Sequence, residues 1–119
     1  MINKELDCGT ILYSEEAIAN IVGKNTMEVA GVVGMAIRTP KEGLISILKK
    51  ENLKQGVSVS AVDGKLQINI SVIVLYGVVI AEICRNIMQR IKYDIETYTG
   101  LEVGSVSVNV VGVQESKNN

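Results

Sequence analysis

The chain reads as one α+β domain, two layers deep, with helices packed on one face of a mostly antiparallel sheet. Three observations predict this. Asp63-Gly64 stands between two runs of alternating apolar and polar residues, the strongest short-range signal for a β-hairpin. A helical pattern stands on each side of that hairpin, and period-two segments open and close the chain. The resulting order is β-α-(short α)-β-β-α-β. A ferredoxin-like, split βαβ arrangement is the first expectation and a KH-like one the second.

The length of 119 residues suits a single domain. Residues 1–8 read as an N-terminal arm, 9–114 as the domain and 115–119 as a loose C-terminal tail. Hydrophobic residues make up 47% of the chain, enough for a real core. There is no Trp or Phe, so that core must be aliphatic.

Gly9–Tyr13 predicts a short strand. Ser14 is a good N-cap, and Glu15 and Glu16 suit the positive end of a helix dipole. Ala17, Ile18, Ile21, Val22 and Val29 recur at helical spacing, with Gly31 ending the run. Gly31 to Ile37 reads either as a short strand or as an apolar turn. After Pro40, the residues Leu44, Ile47 and Leu48 predict a short amphipathic helix with Lys49, Lys50 and Lys54 at its end and Gly56 as its stop.

Val57, Val59 and Ala61 alternate with Ser58 and Ser60; beyond the turn, Leu66, Ile68, Ile70, Val72 and Val74 carry the alternation on. A long helix follows Gly77, with Ile80, Ile83, Cys84, Ile87, Ile91, Ile95 and Tyr98 as its apolar stripe. Thr99-Gly100 ends it, and Val103–Val113 is the last strand.

In both long strands the alternation breaks late. Ile73 and Leu75 make the second face of one apolar, and Val111 and Val113 do the same in the other. Something must cover such a face. Loops or the 31–55 segment are one candidate. The other is a self-association or partner surface formed by Ile73, Leu75, Tyr76, Val111 and Val113.

The chemistry on offer is limited. The chain has no His, so the commonest general base and metal ligand are missing. Cys8 and Cys84 are far apart and support no zinc site of normal spacing. A reduced, cytoplasmic protein fits this cysteine usage. No G-x-x-x-x-G-K-[ST] or G-x-G-x-x-G phosphate loop is present. No enzymatic activity, cofactor or metal is therefore expected.

The N-terminus does not read as a signal peptide. The longest uncharged run, Leu66–Ala81, is shorter than the roughly 20 residues of a membrane span. The net charge of −1 gives no sign of a polyanion binder. Two features keep RNA as an alternative partner. Gly31-Val32-Val33-Gly34 has the spacing of a KH clamp, or is a packed turn. Arg38, Lys41, Lys49, Lys50 and Lys54 form a basic cluster, which reads as a solvated face or as a contact for RNA or an anionic membrane surface.

Several stretches together resemble the alkaline shock protein family of bacterial cell-envelope stress response proteins, close to its small single-domain members. They are Gly9-Thr10-Ile11 with Ser14-Glu15-Glu16, Val29 to Met35, Ile47 to Asn52, Val72 to Gly77, Thr99-Gly100-Leu101 and Val106 to Val110. The match covers about residues 9–114, and it is the order and spacing of the pieces that make it specific.

The resemblance implies a Gram-positive-type protein, cytoplasmic or held at the inner face of the membrane through a partner. It also implies self-association and a role in envelope homeostasis without established catalysis. The partners it implies are a second copy, a membrane-anchored protein or a dihydroxyacetone-kinase-like fatty-acid kinase. The expected function is thus a non-enzymatic, self-associating protein-interaction module, with a small RNA-binding domain as the alternative.

Overall fold

The computed structural model describes residues 2–6, 9–38, 45–48 and 50–115. In chain order its elements are β1 (Ile2–Leu6), β2 (Gly9–Tyr13), α1 (Glu15–Met27), β3 (Val32–Arg38), β4 (Ile45–Ile47), a 3-10 helix (Lys50–Gly56), β5 (Val57–Val62), β6 (Lys65–Leu75), α2 (Ile80–Thr99) and β7 (Val103–Gln114). This is an α+β fold.

The long strand β6 organises the main sheet. A strand has two edges, and β7 takes one of them in parallel, from Leu66 to Leu75. The other edge is shared: β5 pairs antiparallel with Lys65–Ile70, and β3 with Val72–Val74. β4 lies outside β3, and β1 and β2 form a separate two-stranded antiparallel sheet. Because β6 and β7 are parallel neighbours, the chain must cross over between them, and α2 is that crossover.

The pleat sends Leu66, Ile68, Ile70, Val72 and Val74 to one face, and none is more than 1% exposed. Both helices cover that face. Ile18 and Val22 come from α1, and Ile83, Ile87, Ile91 and Ile95 from α2. The α2 residues recur every fourth position, one above another on the helix. Burying one such isoleucine stabilises the fold by about 1.5–3 kcal/mol.

Local chemistry sets the helix ends. Ser14 Oγ accepts the Ala17 N–H at 3.0 Å and caps α1. Gly100 closes α2 in the left-handed region, at φ 75°. Thr99, buried in the last turn, donates to Ile95 O at 2.6 Å and accepts the Leu101 N–H at 3.1 Å.

Two expected elements need correction, and one open reading is decided. The N-terminal arm contains a strand, β1, paired along its length with β2. Of the two readings of Gly31 to Ile37, the strand holds, as β3. The short helix expected over 44–55 is a strand, β4, followed by the 3-10 helix (Leu44 lies outside the described residues). Ile45 and Ile47 alternate around Ser46 and pair with Arg38 and Ala36, so ladder hydrogen bonds outweigh a weak helical pattern.

The strand order also departs from a ferredoxin-like sheet, because α2 returns the chain directly to the neighbouring strand. Ile80 and Tyr98 leave the expected stripe at 43% and 67% exposure, since they lie at the two ends of α2. Residues 116–119 of the expected tail lie outside the described residues.

Candidate protein-interaction site

The five residues expected to form a contact surface come together at the carboxyl ends of β6 and β7. Ile73 pairs with Gly112, Val74 with Val113 and Leu75 with Gln114. The Tyr76 N–H donates to Gln114 O at 2.6 Å and the Leu75 N–H to Gly31 O at 2.8 Å. β3, β6 and β7 are thereby tied together at one end of the sheet.

Their accessibility differs. Tyr76 is 70% and Val113 51% exposed, whereas Leu75 and Val111 are half-buried. Ile73 departs from expectation: at 3% exposure it offers nothing to a partner. It stands between two glycines, Gly34 on β3 and Gly112 on β7, and a Cβ at Gly112 would lie 3.5 Å from Ile73 Cγ1.

Val113 departs too. The register shifts after Val110, so Val111 is the extra residue of a bulge and Val113 returns to the helix-side face opposite Val74. The second face of β7 therefore stays polar or small.

The sequence reading missed Val79 and Ile80, exposed by 58% and 43% in the connection from β6 to α2. A signal was available. The N-cap of α2 is Val79, which makes no side-chain capping bond, where Ser, Thr, Asp or Asn is usual. An uncapped start with two exposed aliphatics spends local stability on an apolar surface. Tyr76, Val79, Ile80 and Val113 thus lie at the same end of the molecule.

Of the expected basic cluster, only the Lys54 side chain falls among the described residues. Arg38 ends β3 and Lys50 begins the 3-10 helix, but their side chains, and Lys41 and Lys49 altogether, lie outside the described residues. Lys54 Nζ stands 3.0 Å from Glu16 Oε2 on α1. The Gly31–Gly34 segment runs from the exit of α1 into β3, not between two helices as a KH clamp does. Gly31 adopts φ 96°, and a Cβ there would meet Ile83 Cδ1 at 2.5 Å. The glycine serves close packing of α2.

A cavity of about 510 Å³ opens between α1, β3 and the 3-10 helix, lined by Lys24, Met27, Glu28, Val33, Gly34, Leu48 and Leu53. Its neighbourhood is tight, since a Cβ at Gly23 would stand 3.1 Å from Leu53 Cβ. Glu28 at its rim pairs with Arg90 of α2, which also reaches Asp94 Oδ2 at 3.4 Å.

No group of three or more Cys, Asp or Glu residues among those described could hold a metal ion. Among the described residues, Glu96 has a displaced titration. Its carboxyl is held below the usual range, first by the Val103 N–H and then by Lys92, against an opposing effect of desolvation. That carboxylate ties α2 to β7. No helix among the described residues is long and apolar enough to cross a membrane.

Fold and surface together define a small two-layer α+β domain whose most distinctive exposed feature is apolar. The chain belongs to the alkaline shock protein 23 family, of cell envelope-related function, whose family model matches residues 3–115. It is 36% identical over 107 residues to the uncharacterized protein Spy1614 of Streptococcus pyogenes, covering 89% of this chain and 88% of that one. It is 38% identical over 107 residues to the uncharacterized protein YloU of Bacillus subtilis, covering 89% of each. A second Bacillus subtilis relative, the uncharacterized protein YqhY, is 25% identical over 114 residues, covering 96% of this chain and 84% of that one. No solved structure matches the chain.

Proposed function

We propose that this chain is a non-enzymatic, self-associating protein-interaction module of cell-envelope homeostasis, acting in the cytoplasm or at the inner face of the membrane through a partner. One observation carries the reading: Tyr76, Val79, Ile80 and Val113 stand 43–70% exposed at one end of the sheet. Leaving apolar surface in water costs about 25 cal/mol per Å², so apolar side chains exposed at one end of the sheet favour a protein that covers them. A second copy, a membrane-anchored protein and a dihydroxyacetone-kinase-like fatty-acid kinase are the partners proposed for it.

Sedimentation velocity tests the proposal. The wild type should form species heavier than the 12.8 kDa chain, and Tyr76→Ser/Val79→Ser should lower the mean mass without lowering the melting temperature. A wild type that stays monomeric at millimolar concentration sinks the self-association.

A further inference from the structure

The strand with most to offer a partner is β7. It is twelve residues long, bonded to β6 along one edge and to no strand along the other among the described residues. A free edge presents a row of unpaired N–H and C=O groups, a template for another strand. Proteins usually guard such an edge with charge, proline, short length or bulges. Val103–Gln114 contains no charged residue and no proline. Its two irregularities, at Gly104 and Val111, bracket an uninterrupted run, Ser105–Val110.

The other outer strands are guarded. β4 has three residues. β5 has six and lies beside Glu15, Glu16 and Lys54.

We infer that β7 pairs edge to edge, antiparallel, with β7 of a second copy, joining the two sheets into one. This rests on the self-associating reading above and adds to its apolar end a second contact between copies, along β7. The run is complementary to itself. With Val108 on the two-fold axis, Val106 of each copy lies opposite Val110 of the other on the helix-side face. Ser107 lies opposite Asn109 on the other face. Directly opposed β-branched pairs and hydrogen-bonding pairs stabilise a sheet, and here no like charges meet.

The helix-side face has a matching need. Val106, Val108 and Val110 pack on the core yet remain half-buried. Above them, α2 turns one flank toward β7, as shown by Lys92 Nζ donating to Val103 O at 3.3 Å. Met88, one turn before Lys92, is 37% exposed, and Cys84, a further turn back, is half-buried. A two-fold axis normal to the sheet sets the helices of both copies on the same face. The Met88 flanks then face each other over the joined strands, in an isologous contact.

Three double variants test the pairing, each made at exposed positions and each checked for folding by its circular-dichroism melt. Ser107→Glu/Asn109→Glu opposes like charges twice across the axis and should weaken dimerisation at least tenfold in sedimentation equilibrium. Ser107→Lys/Asn109→Glu sets opposite charges against each other and should dimerise as the wild type does. Ser58→Glu/Ser60→Glu on β5 should leave the dimer intact. A wild-type dimer indifferent to Ser107→Glu/Asn109→Glu, or equal weakening by both β7 variants, overturns the edge pairing and leaves self-association standing. Loss of the dimer in Tyr76→Ser/Val79→Ser alone also overturns it, by moving the contact to the apolar end. A monomeric wild type overturns both proposals.

Discussion

The Val103 N–H donates to Glu96 Oε2 at 3.0 Å, so the last turn of α2 is bonded to the first residue of β7. Lys92, one turn earlier, stands 3.5 Å from the same carboxylate oxygen and donates to Val103 O at 3.3 Å. A backbone N–H and C=O at the start of an edge strand are thus both satisfied by one helix face.

This arrangement has a pH signature. The Glu96 carboxyl is held below its ordinary range, chiefly by the Val103 N–H. A carboxyl with a lowered folded-state pKa stabilises the fold above its unfolded value, about 4.3, and the contribution disappears as pH falls through the folded value. Urea unfolding should therefore show wild type more stable than Glu96→Gln near neutrality, with the gap closing on acidification. A gap that widens in acid would reverse the sign of the argument.

Gly31 is placed where an L side chain is strained. Its φ is 96°, and an added Cβ would sit 2.5 Å from Ile83 Cδ1. Gly31→Ala should lose about 1–3 kcal/mol from the backbone alone. Movement of Ile83 would add to that. Gly77→Ala is the informative comparison: φ is 92° there, but nothing lies within 4 Å of the new Cβ, so its loss should be the smaller. Equal losses in denaturant titrations would show that contact with Ile83 contributes nothing.

Ile87 is fully buried at the centre of the α2 row. Ile87→Ala should cost about 2–5 kcal/mol, a large share of the roughly 5–15 kcal/mol that holds a domain folded. Met88→Ala, on the adjoining exposed flank, should cost far less. Chemical denaturation of the pair gives the ratio directly.

Ser14→Ala removes the cap of α1 and should cost about 1 kcal/mol, while Ser14→Asp should keep most of the stability. Thermal melts that fail to separate Ala from Asp would mean that the Ala17 N–H finds water equally well.

Much of this molecule is legible from local pattern. The Asp63-Gly64 hairpin, the Ser14 cap, the Gly100 exit and the buried row 83-87-91-95 depend on residues within a turn or two of one another. The composition also foretold an aliphatic core, and the order of short motifs pointed to the right family. The strand within 44–55 escapes local pattern because its ladder partner, β3, lies several residues earlier, and periodicity within a window does not register a strand outside it.

The candidate surface divides in the same way. That Ile73, Leu75, Tyr76, Val111 and Val113 lie toward one end of the sheet was readable from where the alternation breaks. Which of them reach solvent was not: a bulge at Val111 turns Val113 to the other face, and two glycines in separate strands enclose Ile73.

By itself, then, the sequence determined the identity and rough extent of most elements, the aliphatic core and the absence of histidine chemistry, because these follow from residue type and short-range spacing. Only the tertiary structure decided that β6 shares one edge between β3 and β5, that β7 lies parallel to β6 with its far edge unpaired among the described residues, and which apolar groups stay exposed. Those outcomes depend on strand pairings across tens of residues and on single-residue register shifts, which no local window contains.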